Sequence, residues 1–150
     1  MFKGQYAHAL DAKGRVALPA AFRRLMSERG DEALVVTPHI REPCLTAYPD
    51  SAWAVYQAKI EQLSQLDPGA SQLRRLIVGR AQDCPVDKVG RVLLPPSLRR
   101  AVGIDKELVW MGQLNCIEIW TPEELTQVAP MDARVEVSDE TIAHAAALGL

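Results

Sequence analysis

The sequence predicts a strand-rich α+β fold built from two tandem repeats and flanked by helices. Three observations predict it. Residues 11–24 (DAKGRVALPAAFRR) return as residues 87–100 (DKVGRVLLPPSLRR), with eight of fourteen positions identical. Short alternating or continuous apolar runs follow each copy, ALVV (33–36) against ELVW (107–110), and LTAY (45–48) against IEIW (117–120). Apolar residues at helical spacing fill the stretch between the copies.

Each element has a local cause. Residues 5–10 alternate loosely and read as a strand. Asp11-Ala-Lys-Gly14 then reads as a turn: the Asp side chain can accept a backbone N–H two residues on, and Gly14 takes a positive φ without a Cβ penalty. In Arg15-Val16-Ala17-Leu18 the period is two, with Val16 and Leu18 on one face and Arg15 and Ala17 on the other. The expectation is a β-hairpin with Lys13 and Arg15 at its tip. Pro19 stands where a helix can begin, and Phe22, Leu25 and Met26 share a face that excludes Arg23 and Arg24. Two strands follow, at 33–37 and 45–48.

Asp50 is placed to cap a helix carrying Trp53, Tyr56, Ile60 and Leu63. Asp67-Pro-Gly breaks that helix, and Ser71 opens another with Leu73, Leu76 and Ile77. The second copy repeats turn, strand, helix and strands around Asp87 and Gly90, ending in a short helix near 122–128. The expected organisation is therefore a first repeat with its following helix at 1–66, a linking helix at 67–80, a second repeat at 81–130 and a tail at 131–150. The tail forms a terminal helix or frays.

Composition excludes several functions. The chain has 150 residues, 48% hydrophobic and 24% charged, which suits a folded core and not disorder. Eight aromatic residues are too few for a single-strand stacking platform. Cys44, Cys84 and Cys116 are widely spaced and odd in number, and no pair of Cys or His has metal-ligand spacing. No secretory h-region opens the chain and no membrane-length apolar run exists, so a soluble cytoplasmic protein without membrane association is expected. Phosphate-loop, zincin and nucleophile-elbow motifs are absent, and His8, His39 and His144 are isolated from one another. No enzyme activity, metal or cofactor is expected.

The net charge of −2, with a pI of about 5.9, argues at first against a nucleic-acid partner. Its distribution reverses that. Lys13, Arg15, Arg23 and Arg24 against Asp11 leave the first copy at +3, and Lys88, Arg91, Arg99 and Arg100 against Asp87 leave the second at +3. The rest of the chain then carries −8. A turn presenting Arg15 or Arg91 outward can reach phosphates or pair with guanine in a DNA groove. Arg23-Arg24 and Arg99-Arg100, just behind, read either as phosphate contacts or as a solvated face. Two further readings come from other classes: an oligomeric protein-interaction module of antitoxin or scaffold type, and a small hydrolase. The hydrolase has nothing behind it beyond Cys44 and Cys116.

LDAKGRVALP (10–19), VDKVGRVLLP (86–95) and the opening MFKGQY resemble the MraZ family, bacterial transcriptional regulators built from two SpoVT-AbrB repeats. The resemblance covers roughly residues 1–130. It implies an AbrB-type swapped-hairpin β-barrel, assembly into a homo-oligomeric ring, and association with the nucleoid. It also implies sequence-specific binding of double-stranded DNA at repeated promoter boxes upstream of the protein's own operon, in the division and cell-wall gene cluster. Arg15 and Arg91 would contact DNA, with Lys13 beside the first; Val89 occupies the matching place in the second copy, next to Lys88.

Overall fold

The computed structural model describes residues 1–150. In the first repeat β1 (Gln5–Ala9), β2 (Arg15–Ala17), α1 (Ala20–Arg29), β3 (Ala33–Pro38) and β4 (Leu45–Pro49) follow one another. Helices α2 (Asp50–Glu61) and α3 (Pro68–Leu76) and a 3-10 turn (Val78–Arg80) come next. The second repeat runs through β5 (Gln82–Pro85), β6 (Arg91–Leu93), α4 (Pro96–Val102), β7 (Glu107–Gln113) and β8 (Cys116–Trp120). Helices α5 (Pro122–Val128) and α6 (Asp139–Ala147) close the chain.

The strands do not stay within their own repeats. A six-stranded sheet has the order β1-β7-β8-β4-β3-β5, antiparallel throughout. Thus β1 of the first repeat pairs with β7 of the second (Gln5↔Met111), and β5 of the second pairs with β3 of the first (Ala33↔Pro85). Replacing every strand by its counterpart in the other repeat merely reverses the order, so the two halves are related by a pseudo-two-fold axis. A separate two-stranded ribbon joins β2 to β6, with Val16 opposite Val92 at its centre.

This pairing corrects the expected hairpin. Residues 5–10 and 15–18 share only an isolated bridge, Leu10↔Val16; the ladder partner of β2 is β6 and that of β1 is β7. Pairing across the repeats sets Val16 against Val92 and buries both in one core shared by the two halves. The ladders define two sheets and no closed barrel: β2 and β6 are only three residues each, and beyond their own ladder they make only the isolated bridges Leu10↔Val16 and Val86↔Val92.

One core of 18 buried residues spans both halves, taking Phe2, Val16, Leu18, Phe22 and Leu34 from the first and Val92, Leu94, Leu98, Leu108 and Trp110 from the second. Trp110 is the largest of its fully buried side chains, and its Nε1 donates to the Ala17 carbonyl at 3.1 Å. That bond ties β7 of the large sheet to the end of the ribbon. Phe22 of α1 meets Phe2 and Tyr6 edge-on, at ring distances of 5.2 and 5.1 Å.

The helices depart from expectation at their starts. Asp50 lies within the first turn of α2 and makes no side-chain cap; instead buried Asp31 accepts from Ser51 N and Ser51 Oγ at 2.8 and 2.9 Å. That helix ends at Glu61, which leaves Leu63 outside it and partly exposed. Asp67 does more than break the chain: it caps α3, accepting from Gly69 N at 2.9 Å, so the helix opens at Pro68, three residues before Ser71. In the tail Ser138 caps α6, accepting from Thr141 N at 3.2 Å. No helix is long and apolar enough to cross a membrane.

Candidate nucleic-acid interface

The two Asp-x-x-Gly-Arg turns have nearly superimposable hydrogen bonding. In the first, Gly14 N donates to the Asp11 carbonyl at 3.0 Å, and Asp11 N donates to the Arg15 carbonyl at 2.8 Å. The carboxylate then adds three bonds. Asp11 Oδ1 accepts from Lys13 N and Arg15 N, both at 2.9 Å, and Oδ2 accepts from Arg15 Nε at 2.6 Å. In the second turn Asp87 Oδ1 accepts from Val89 N and Arg91 N at 3.1 and 2.8 Å, and Oδ2 from Arg91 Nε at 2.9 Å. Sequence reading assigned Asp11 and Asp87 to the turn. It missed that each also holds its arginine, although the i,i+4 spacing of Asp and Arg carried the signal.

The backbone N–H of the arginine, first among several donors, holds both carboxyls below the usual Asp range, against a smaller opposing effect of burial. A lowered carboxylate favours the native turn above the ordinary Asp value of 3.8 and loses that preference only as the pH falls through its own lower value. At neutral pH both carboxylates are ionised. Being exposed, they add little to stability; what they do is orient the guanidinium.

Gly14 and Gly90 hold φ of +85° and +83°, and a helix from the opposite repeat closes over each. Arg23 of α1 lies across Gly90, where an added Cβ would fall 2.6 Å from Arg23 Cδ, and its Nη1 donates to the Val89 carbonyl at 3.4 Å. Arg99 of α4 lies across Gly14, with Cζ 2.9 Å from where a Cβ would stand, and its Nε donates to the Leu94 carbonyl at 3.0 Å. Gly90→Ala should therefore lose about 1–3 kcal/mol from the left-handed backbone alone, with a further loss from displaced Arg23. Urea unfolding would show it as a lower midpoint at unchanged slope.

The predicted basic residues thus separate into groups. Arg15 and Arg91 stand on one face of the ribbon, with exposed Ala17 and Leu93 beside them. Side-chain exposures are 34% for Arg15 and 37% for Arg91, and neither Nη group makes a hydrogen bond within the chain. Lys13 and Lys88 are exposed at the turns. Arg23 and Arg99 brace the turn of the other repeat, while Arg24 and Arg100 are exposed on the helices behind. Each basic cluster is consequently assembled from both repeats.

The cysteines offer no reactive centre. Burial raises all three thiols, Cys84 to about 12 and Cys116 to about 11, which keeps them protonated and unreactive at neutral pH.

Comparison with known proteins matches this duplicated architecture. The family model of the MraZ protein, described as antitoxin-like, fits twice, over residues 1–76 and 77–145. The chain belongs to the MraZ family. Among curated relatives named Transcriptional regulator MraZ, that of Marinomonas sp. is 44% identical over 124 residues, 83% of this chain and 82% of the relative. The protein of Idiomarina loihiensis is 39% identical over 136 residues, covering 91% of this chain and 90% of its own length. That of Sodalis glossinidius is 36% identical over 140 residues, 93% and 92% of the two chains. The MraZ family is one of transcriptional regulators and not of enzymes.

Proposed function

We propose that this protein regulates transcription by sequence-specific binding of double-stranded DNA, through the β2–β6 ribbon and the two arginine-bearing turns. The observation that carries the reading is the repeated turn itself: two arginines, each fixed by an aspartate, exposed on one face of a narrow two-stranded ribbon. The major groove of B-DNA, about 12 Å wide, admits such a ribbon. Arg15 and Arg91 make the base contacts, while Lys13, Lys88, Arg24 and Arg100 neutralise flanking phosphates. Arg23 and Arg99 contribute charge from behind the turns they brace. The acidic remainder disfavours indiscriminate coating of DNA and confines attraction to this face.

The strand exchange between repeats supports an AbrB-type arrangement in which each repeat completes the other's fold. One ribbon makes few contacts, so several copies in a homo-oligomeric ring would bind repeated promoter boxes by effective concentration, provided the spacing of the boxes matches. The boxes are those upstream of the protein's own operon in the division and cell-wall cluster, which places the protein at the nucleoid.

Fluorescence-anisotropy titration tests this, using the DNA upstream of the protein's own coding region and a scrambled duplex at several salt concentrations. The expected result is tighter binding to the upstream DNA and a linear fall of log K with log salt. No shift with either duplex, together with a stable protein partner in a pull-down, would overturn the reading in favour of a protein-interaction module.

A further inference from the structure

The carboxylates of Asp11 and Asp87 do two separable jobs. One oxygen of each closes the turn by accepting two backbone N–H groups; the other accepts only from arginine Nε, at 2.6 and 2.9 Å. A turn needs the first oxygen and not the second. The second oxygen restrains a side chain that would otherwise sample many rotamers, and it occupies the Nε–H while leaving the terminal Nη pair without a partner in the chain. Because the guanidinium is planar, fixing Nε fixes the direction in which that pair points.

An unrestrained arginine serves a phosphate as well as a base. One held with its Nη pair outward takes two acceptors lying side by side, which a phosphate can also offer, but only in the direction in which it is aimed. In the major groove only guanine offers that arrangement, through N7 and O6; adenine shows an acceptor next to a donor, and the pyrimidines show a single polar group. The identical restraint at two turns, on residues with no packing role, is hard to explain by stability, since exposed ion pairs contribute little to it.

We propose that Asp11 and Asp87 are positioning residues for base recognition, which turn Arg15 and Arg91 from general phosphate contacts into readers of guanine. This rests on the DNA-binding reading above. The contact itself belongs to the arginines; the aspartates act through them and touch no DNA.

The D11N/D87N variant separates the two jobs. Its Asn Oδ1 still accepts from the backbone and keeps the turn, whereas its Nδ2 is a donor and cannot accept from Nε. Wild type and variant are each used to select boxes from randomised duplexes. Each is then titrated against the wild-type box, a scrambled duplex, and the box with 7-deazaguanine, which lacks N7, at each guanine in turn.

For wild type, 7-deazaguanine at one or more positions should weaken binding about 10-fold or more, the scale of a good bidentate pair. For the variant, specific over scrambled affinity should fall about 10–100-fold, the same 7-deazaguanine positions should lose most of their effect, and scrambled affinity should hold or rise as two negative charges disappear. A folded variant with an unchanged specificity ratio overturns the positioning role. So does a wild-type box insensitive to 7-deazaguanine everywhere, a result that needs no variant to fold. If the wild type selects no box at all, the DNA-reading function itself fails, which is a different outcome.

Discussion

Replacing both Arg15 and Arg91 by alanine is expected to remove sequence-specific DNA binding while leaving the fold intact. Each truncation of a base-reading arginine costs about 1–3 kcal/mol, so the pair should weaken a specific complex by at least about 30-fold. In an assembly carrying many turns the loss multiplies through lost avidity. Affinity for scrambled DNA should drop much less, because exposed Lys13, Lys88, Arg24 and Arg100 remain to meet phosphates. Thermal unfolding should hardly change, since both arginines are partly exposed and bonded only to an exposed carboxylate. Equal losses on specific and scrambled duplexes would assign these residues to phosphate contact alone. Unchanged binding would remove them from the interface.

Trp110→Ala should have the largest effect on stability. The side chain is fully buried in the core shared by the two repeats, and truncation of a buried aromatic costs about 3–5 kcal/mol. For a chain of this size the melting temperature should drop by roughly 10 °C or more. Trp110→Phe keeps most of the volume but loses the donor to Ala17, and should cost nearer to 1 kcal/mol beyond any repacking. Because one core and the β1–β7 and β3–β5 ladders span both repeats, a single cooperative transition should persist in both variants even without that bond. Two separate transitions in calorimetry would show that the repeats fold independently.

Much of this molecule is legible in its residues, for identifiable reasons. The turns were readable because Asp and Gly at fixed offsets are local chemistry, and α5 at Pro122–Val128 stands where proline and an acidic first turn placed it. Partner choice was not readable. Val16 and Val92 carry the same period-two signal whether β2 pairs with β1 or with β6, since alternation specifies a face and not a neighbour. The start of α2 was misread for a related reason. Its first turn is held by Asp31, twenty residues upstream and brought there by the chain reversal through β3 and β4. Among the eight basic residues of the candidate interface, turn context already set Arg15 and Arg91 apart from the helix arginines, which read equally as a solvated face. What needed geometry is that Arg15 and Arg91 are held with free Nη groups while Arg23 and Arg99 are laid over the glycines of the opposite turn.

The crossing of β1 to β7 has a consequence for biosynthesis. The strand Gln5–Ala9 is synthesised about a hundred residues before its ladder partner Glu107–Gln113. At about 5–20 residues per second, roughly 5–20 seconds of translation separate the two. Throughout that interval the first repeat holds an unpaired strand, an uncovered β2 and a half-built core. A nascent chain in that state can close on its own second half once it emerges, or on the second half of a neighbour made on the same message. Intramolecular closure is favoured because the α2–α3 segment keeps the halves tethered, and exchange between chains becomes the competing product when ribosomes are crowded or the second half is delayed.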